Sequence, residues 1–563
     1  MRKYHIFILI IFILSTMFGG CKPKEKTGFG SEISTDLKVI GHGKEVFEKL
    51  CSSCHNFKQD AIGPNLSGLT KSVETKWIKD FIKSPQMKIG LNDPRAVALK
   101  EKYKAIMPDF QHLLDADIEA VLAYINTYDQ IQIKEETDPT SIENPIPEKI
   151  IFSGETANLE YIGQIPASDT ILPYTRINKL ACEKNFGRLF INDLRGILFE
   201  LRQGKPHVYL ELNKLCPNFI DRNGLATGFA SFAFHPEFDK NGLFYTTHNE
   251  IAGSKQADFK LPDSVKVNIQ GVITEWKAKD PNSLSFSGSS RELMRFDLVA
   301  NSHGLQELAF NPTANKGDVD YGNLYISIGD GGSVQVGYPE IVDHHGRDVW
   351  GSILRIDPLG DNSANNKYGI PGDNPFTNAA DMQKELWAYG FRNPNRITWI
   401  DRNRILASDI GQANIEELNI VEPGNFYGWP IREGRFLFDP RGNLNNVYTL
   451  TDNGHESLIT YPILQYDHDE GPAISGGFIA KGKLFHGKYI FGDIPTGRLF
   501  IGDLNNPDYA KIEELKVAVN GKETTFYELT KSSRVDLKFG RGCNGSIYIF
   551  TKADGKIYRL IEK

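Results

Sequence analysis

The chain has 563 residues, with 64 Lys+Arg against 71 Asp+Glu and a formal net charge of −7; it lacks the basic footprint of a nucleic-acid partner. Charged residues at 24% and hydrophobic ones at 40% exclude a disordered chain, a coiled coil and a multi-span membrane protein. Gly 52 and Pro 28, beside Phe 34 and Tyr 22, favour short strands and tight turns over a helical bundle.

Residues 1–21 read as a targeting segment and stand outside the fold. Arg2 and Lys3 give a positive start, and the apolar run Ile6 to Phe18 is too short for a hydrocarbon core of ~30 Å. The run ends in Phe18-Gly19-Gly20-Cys21. Small residues directly before a Cys resemble the bacterial lipobox, with Phe18 a departure from it. That resemblance implies lipidation at Cys21. It also implies an exported, lipid-anchored protein on the periplasmic or surface side of a bacterial membrane, touching that membrane through the anchor only. An ordinary signal peptide with an incidental Cys is the alternative. Residues 22–40 then form a polar tether, 41–130 a compact domain, 131–153 an acidic, Pro-rich linker and 154–563 the remainder.

Within 41–130, Gly43 to Leu50 predicts a short amphipathic helix with Val46, Phe47 and Leu50 on one face. It leads into Cys51-Ser52-Ser53-Cys54-His55, the spacing of c-type haem attachment. Two thiols one turn apart can bond both vinyl groups, and the adjacent His55 can reach the iron. Met107 is the expected second ligand. It precedes a helix with Asp115 as N-cap and Ile118, Val121, Leu122 and Ile125 as an apolar stripe, whereas Met87 is expected in a loop. A redox thiol pair or a zinc half-site would leave His55 and Met107 unexplained. The order C-x-x-C-H, Ile62-Gly63-Pro64-Asn65-Leu66, Met107-Pro108 and a terminal helix resembles a class I cytochrome c. That resemblance implies haem c, electron transfer, and an orienting role for Pro64. Cys182, Cys216 and Cys543 leave three disulfide pairings open, or none.

In 154–563 a turn residue precedes a short aromatic or β-branched strand at Gly187, Gly242, Gly322, Asn403, Gly487 and Gly545. Six such strands predict an all-β six-bladed propeller behind the small all-α domain. Six ordered segments then resemble the pyrroloquinoline quinone (PQQ)-dependent glucose/sorbosone dehydrogenases. They are 229–236 (FASFAFHP), 303–312 (HGLQELAFNP), 351–358 (GSILRIDP), 389–394 (YGFRNP), 417–430 (ELNIVEPGNFYGWP) and 475–477 (SGG).

What the resemblance implies is specific. His303 would be the general base on a sugar or alcohol hydroxyl. Arg392 and Asn393 would lie over the quinone, and Arg534 would bind its carboxylates. Gly411 and Gln412 would hold a calcium ion through backbone carbonyls. Electrons would leave through the haem to a downstream acceptor such as another cytochrome. The chain also departs from the family: no Lys stands at 494–497, a second Arg is missing beside Arg534, Thr227 replaces a Gln, and Ser302 replaces an Asp. Those departures keep a rival reading open, a non-enzymatic carbohydrate- or protein-binding module tethered to a cytochrome. Asp467-His468-Asp469-Glu470 reads as a polar loop rather than a cation site, and His344-His345 as a loop facing solvent or a pocket rim.

Overall fold

The computed structural model describes residues 33–561 except 53, 58–62, 104–106, 112, 129–137, 171, 222–226, 403, 451–457, 506–510 and 533. Cys21 lies outside the described residues.

The first helix is Leu37–Leu50 and begins six residues earlier than expected. Asp36 starts it, its carboxylate accepting the Lys38 N–H at 2.8 Å. Gly43 lies inside the helix for a packing reason. A Cβ there would come 1.8 Å from the Ala120 carbonyl oxygen, so this helix meets Asp115–Ile125 backbone to backbone. Phe47 stacks on Phe57 and meets Tyr124 edge-on, and Leu66, Val121 and Ile125 complete the small core. Asp115 is not the cap of the second helix. Leu114 holds that position, and its N–H donates to the Asp117 carboxylate at 3.3 Å.

Residues 138–151, read as the end of the linker, are tied to the β-rich region. The Ile142 N–H donates to the Val447 carbonyl at 2.9 Å, and the Glu514 N–H to the Ile151 carbonyl at 2.8 Å. All six turn-plus-strand elements are strands, each inside an antiparallel hairpin. Three separate four-stranded antiparallel sheets follow one another in the middle of the chain, spanning Ser231–Leu298, Leu305–Tyr389 and Pro394–Asp467.

The six-bladed propeller is corrected at this point. The other units do not stand as separate blades but fuse into one 13-stranded sheet, a further three-stranded sheet stands apart, and no sheet among the described residues closes on itself. Two parallel pairings cause the fusion: Phe152–Gln164 with Ile512–Val519, and Ile177–Glu183 with Leu537–Arg541. Phe152–Gln164 also pairs antiparallel with the last strand, Lys556–Leu560, so the two ends of this region are stitched together. A periodic strand signal reports local hairpins. It carries no information about pairings some 360 residues apart.

Cys182 is bonded to Cys543 across the same seam, a sequence separation of 361, and Cys216 remains a thiol. Leu324–Ile328 and Ser352–Ile356 are buried at every position, because both faces of their sheet are covered. These strands deliver the loops described next.

Candidate functional site

Two centres emerge, and the first is the haem segment. The His55 imidazole donates from Nδ1 to the Pro64 carbonyl at 2.9 Å, which leaves the Nε2 lone pair for a metal. Gly63 packs on that ring, where a Cβ would fall 2.4 Å from Cε1. Cys51 and Cys54 follow the helix end, held by Cys54 and His55 N–H groups donating to the Cys51 carbonyl at 3.0 and 2.9 Å. Burial, with Cys54 beside it, pushes the Cys51 thiol up to about 12. Met107 is half-buried. Met87 sits on the short helix Pro85–Gly90 rather than in the expected loop, and is 62% exposed. The paired thiols, the oriented imidazole and the glycine against it fit haem c.

The second centre is built by the loop Gly329–Gly332, which leaves the strand Leu324–Ile328. His303 adopts a left-handed φ of 50°, a costly conformation for a residue with a Cβ. The Gly331 N–H donates to its carbonyl at 3.0 Å. Gly329 fills the gap between His303 and Arg392, where a Cβ would come 2.6 Å and 2.9 Å from their carbonyl oxygens. Asp330 joins the pair. Its N–H donates to the Arg392 carbonyl at 2.8 Å, and its carboxylate accepts the His303 Nδ1–H at 2.8 Å and the Gly332 N–H at 2.7 Å. Burial and the Arg392 cation hold the His303 imidazole below its ordinary value, against the pull of Asp330. The sequence reading missed Asp330. Its signal was the G-D-G-G loop after a strand, and it supplies the carboxylate that Ser302 does not.

Arg392 and Asn393 follow the strand end at Tyr389, and both of their N–H groups donate to Asp409. The Arg392 guanidinium donates to the carbonyls of Ile410, at 3.0 Å, and Gly411, and to the Gln412 side chain at 3.0 Å. It also lies 5.8 Å from the Trp429 ring centroid. Of the two backbone carbonyls read as a calcium site, that of Gly411 accepts from Arg392, whereas Gln412 meets Arg392 through its side chain. Asn393 Oδ1, next to Arg392 in the chain, is buried with no partner among the described residues.

Glu433 fixes the same loop. Its Oε1 accepts the N–H groups of Gln412, Ala413, Asn414 and Ile415 at 2.7 to 3.1 Å. No sequence signal links it to a loop 20 residues away.

Arg534 pairs with Asp536 at 2.9 Å. Burial pushes Asp536 up, but Arg534, Lys552 and Lys538 prevail and hold it below the usual carboxylate range. Burial and the neighbouring Lys538, Arg176 and Arg534 hold Lys552 well below its ordinary value, the mark of concentrated buried cations. The positions 494–497 lack a lysine as read, yet cations from three other segments gather at Arg534. A base at His303, a cation at Arg392 and positive charge around Arg534 are donor types that a multiply anionic quinone takes.

Elsewhere, in the loop read as facing solvent or a pocket rim, His344 is buried and pairs with the Trp350 carbonyl at 2.7 Å, while His345 is exposed. Residues 467–470 are engaged by protein partners, including His468 with Glu416 and Glu470 with Arg498, both at 2.9 Å.

Residues 178–559 match the glucose/sorbosone dehydrogenase family, and residues 40–129 match cytochrome c. The chain is 23% identical over 403 residues to the human hedgehog-interacting protein, covering 67% of this chain and 49% of that one. It is 25% identical over 229 residues to quinoprotein glucose dehydrogenase B of Acinetobacter calcoaceticus, covering 38% and 42%. The chain spans between 44% and 61% of the length of the first curated relatives it matches. The apo soluble aldose sugar dehydrogenase of Escherichia coli superposes with a TM-score of 0.51 at 16% identity, covering 72% of this chain and all of that one. That last likeness is one of fold.

Proposed function

Since the chain belongs to the glucose/sorbosone dehydrogenase family and carries a cytochrome c domain ahead of the matched region, we propose that it is a quinohaemoprotein dehydrogenase. It oxidises a sugar or alcohol hydroxyl and passes the electrons through haem c to a downstream acceptor. The observation that carries this reading is the His303–Asp330–Arg392 cluster, a base, its orienting carboxylate and a fixed cation on adjoining loops.

When bound, PQQ supplies a two-electron acceptor and haem c a one-electron carrier. Asp330 fixes the proton on His303 Nδ1, which leaves the Nε2 lone pair as the base for the hydroxyl proton. Burial and the Arg392 cation lower the pKa of that imidazole, which favours its neutral form. Arg392 keeps a permanent positive charge beside it, where negative charge develops as electrons leave the substrate. Arg534, paired with Asp536, would supply the positive charge for a cofactor carboxylate. Covalent linkage of the two domains raises the effective concentration of the haem at this site.

The test adds PQQ to purified full-length protein and follows haem reduction across aldoses and simple alcohols. Substrate-dependent reduction is the expected result. Absence of quinone binding by calorimetry, together with no reduction by any substrate, would move the protein to the binding-module class, the class in which the name of its hedgehog-interacting relative stands.

The same proposal has the protein outside the cytoplasm, on a lipid anchor at Cys21. Covalent haem attachment, an extracytoplasmic chemistry, agrees with that leader. Among the described residues no helix is long and apolar enough to cross a membrane. Cys21→Ser is expected to move the protein from the membrane to the soluble fraction. Unchanged membrane association would remove the anchor from the proposal.

A further inference from the structure

Away from both centres, a thiol, an imidazole and a carboxylate meet at the edge of the sheet spanning Ser231–Leu298. Cys216 ends the short helix Leu212–Leu215, its N–H donating to the Leu212 carbonyl at 2.9 Å and its own carbonyl accepting the Phe219 N–H at 3.1 Å. The chain then runs beside the strand Leu243–Ile251, with the Ile220 N–H on the Asn249 carbonyl and the Ile251 N–H on the Asn218 carbonyl. His248 and Glu250 are two residues apart on that strand, so their side chains share one face. Cys216 Sγ, a ring nitrogen of His248 and a carboxylate oxygen of Glu250 all lie within 4.8 Å of one another.

The hydrogen bonding of this cluster is incomplete. Glu250 Oε2 is held from behind by the Ser254 hydroxyl and the Arg295 guanidinium, both at 2.9 Å. Oε1 faces His248 Nε2 at 3.2 Å. An imidazole that donates from Nε2 keeps a bare lone pair on Nδ1, and His248 Nδ1 is buried with no partner among the described residues, in a side chain 2% exposed. A buried lone pair without a donor is costly. A zinc ion between Nε2 and Oε1 takes the Nε2 lone pair and leaves Nδ1 to carry the ring proton, so the site rests on the three converging donors and not on the Nδ1 lone pair.

We infer that Cys216, His248 and Glu250 bind one zinc ion. Sulfur, nitrogen and oxygen donors together suit zinc, and three protein ligands leave a fourth position for water. The separation of 3.2 Å between Nε2 and Oε1 is also close to that of two ligand atoms on one tetrahedral ion with bonds of ~2.0–2.1 Å. Arg295 and Ser254 orient the carboxylate as outer partners. Cys216 loses its proton to solvent as the zinc–sulfur bond forms. Its half-buried position gives the ion a way in.

The test uses the haem-loaded full chain, in which Cys51 and Cys54 are occupied and Cys182 is bonded to Cys543. Zinc chloride is added in slight excess, and alkylation of the Cys216 peptide is timed by mass spectrometry. Zinc is expected to slow that alkylation about tenfold or more, with full recovery on adding EDTA. Gel-filtered protein should retain one zinc per chain, lost in Cys216→Ser and in Glu250→Gln, with haem content unchanged in both. Unchanged alkylation, or equal zinc retention in Cys216→Ser, would overturn the site.

Discussion

Replacing His303 by alanine is expected to lower substrate-driven haem reduction about 10²–10⁴-fold, the range a positioned general base contributes. Haem content and chemical reduction of the haem by dithionite should not change, because His303 lies in the dehydrogenase-family region. Asp330→Asn is the more discriminating variant. It leaves the geometry but removes the carboxylate that holds the Nδ1 proton, so the imidazole can present the wrong tautomer. The pH profile separates the two roles. His303 is held below its ordinary value of 6.5, so the base stays neutral and active as pH falls to that value, and the acid limb lies lower still. Asp330 is the group that opposes this shift, so its removal should push the acid limb further down while the plateau falls. His303→Ala should erase the limb altogether. A His303→Ala protein that retains full rate and an unshifted limb would remove the base assignment.

The same cluster explains what sequence reasoning could and could not reach. His303, Arg392 and Asn393 sit in contiguous motifs, so their residue types and order were legible. Asp330 was visible as a strand followed by G-D-G-G, yet its role depends on a left-handed His303 folding onto that loop. Glu433 was beyond reach, since four backbone N–H groups on one carboxylate are a property of the fold and not of local pattern. The cations around Arg534 come from segments near residues 176, 538 and 552, which the fused sheet brings together. The propeller expectation failed for the same reason. Hairpins are local, and the pairings that join them are not.

The haem end tests a different kind of legibility, because two methionines compete there. Met107→Ala is expected to abolish the weak sulfur-to-iron absorption band. It should also lower the haem potential by a measurable part of the ~0.8 V range that axial ligation spans, since a thioether opposite His favours the reduced iron. Met87→Ala should change neither, as that side chain is 62% exposed and the half-buried Met107 is not. The opposite side is tested by Gly63→Ala. A methyl group there would stand 2.4 Å from His55 Cε1 and 2.9 Å from Nδ1, so the ring must swing off the Pro64 carbonyl. Covalent attachment through Cys51 and Cys54 should survive, because the thioethers do not involve the imidazole. The variant should therefore keep its haem on the chain under denaturing electrophoresis while its spectrum loses the signature of His–Met ligation. Loss of the sulfur band in Met87→Ala would transfer the ligand assignment to Met87. A native spectrum in Gly63→Ala would mean that the imidazole is not held as its bond to Pro64 indicates.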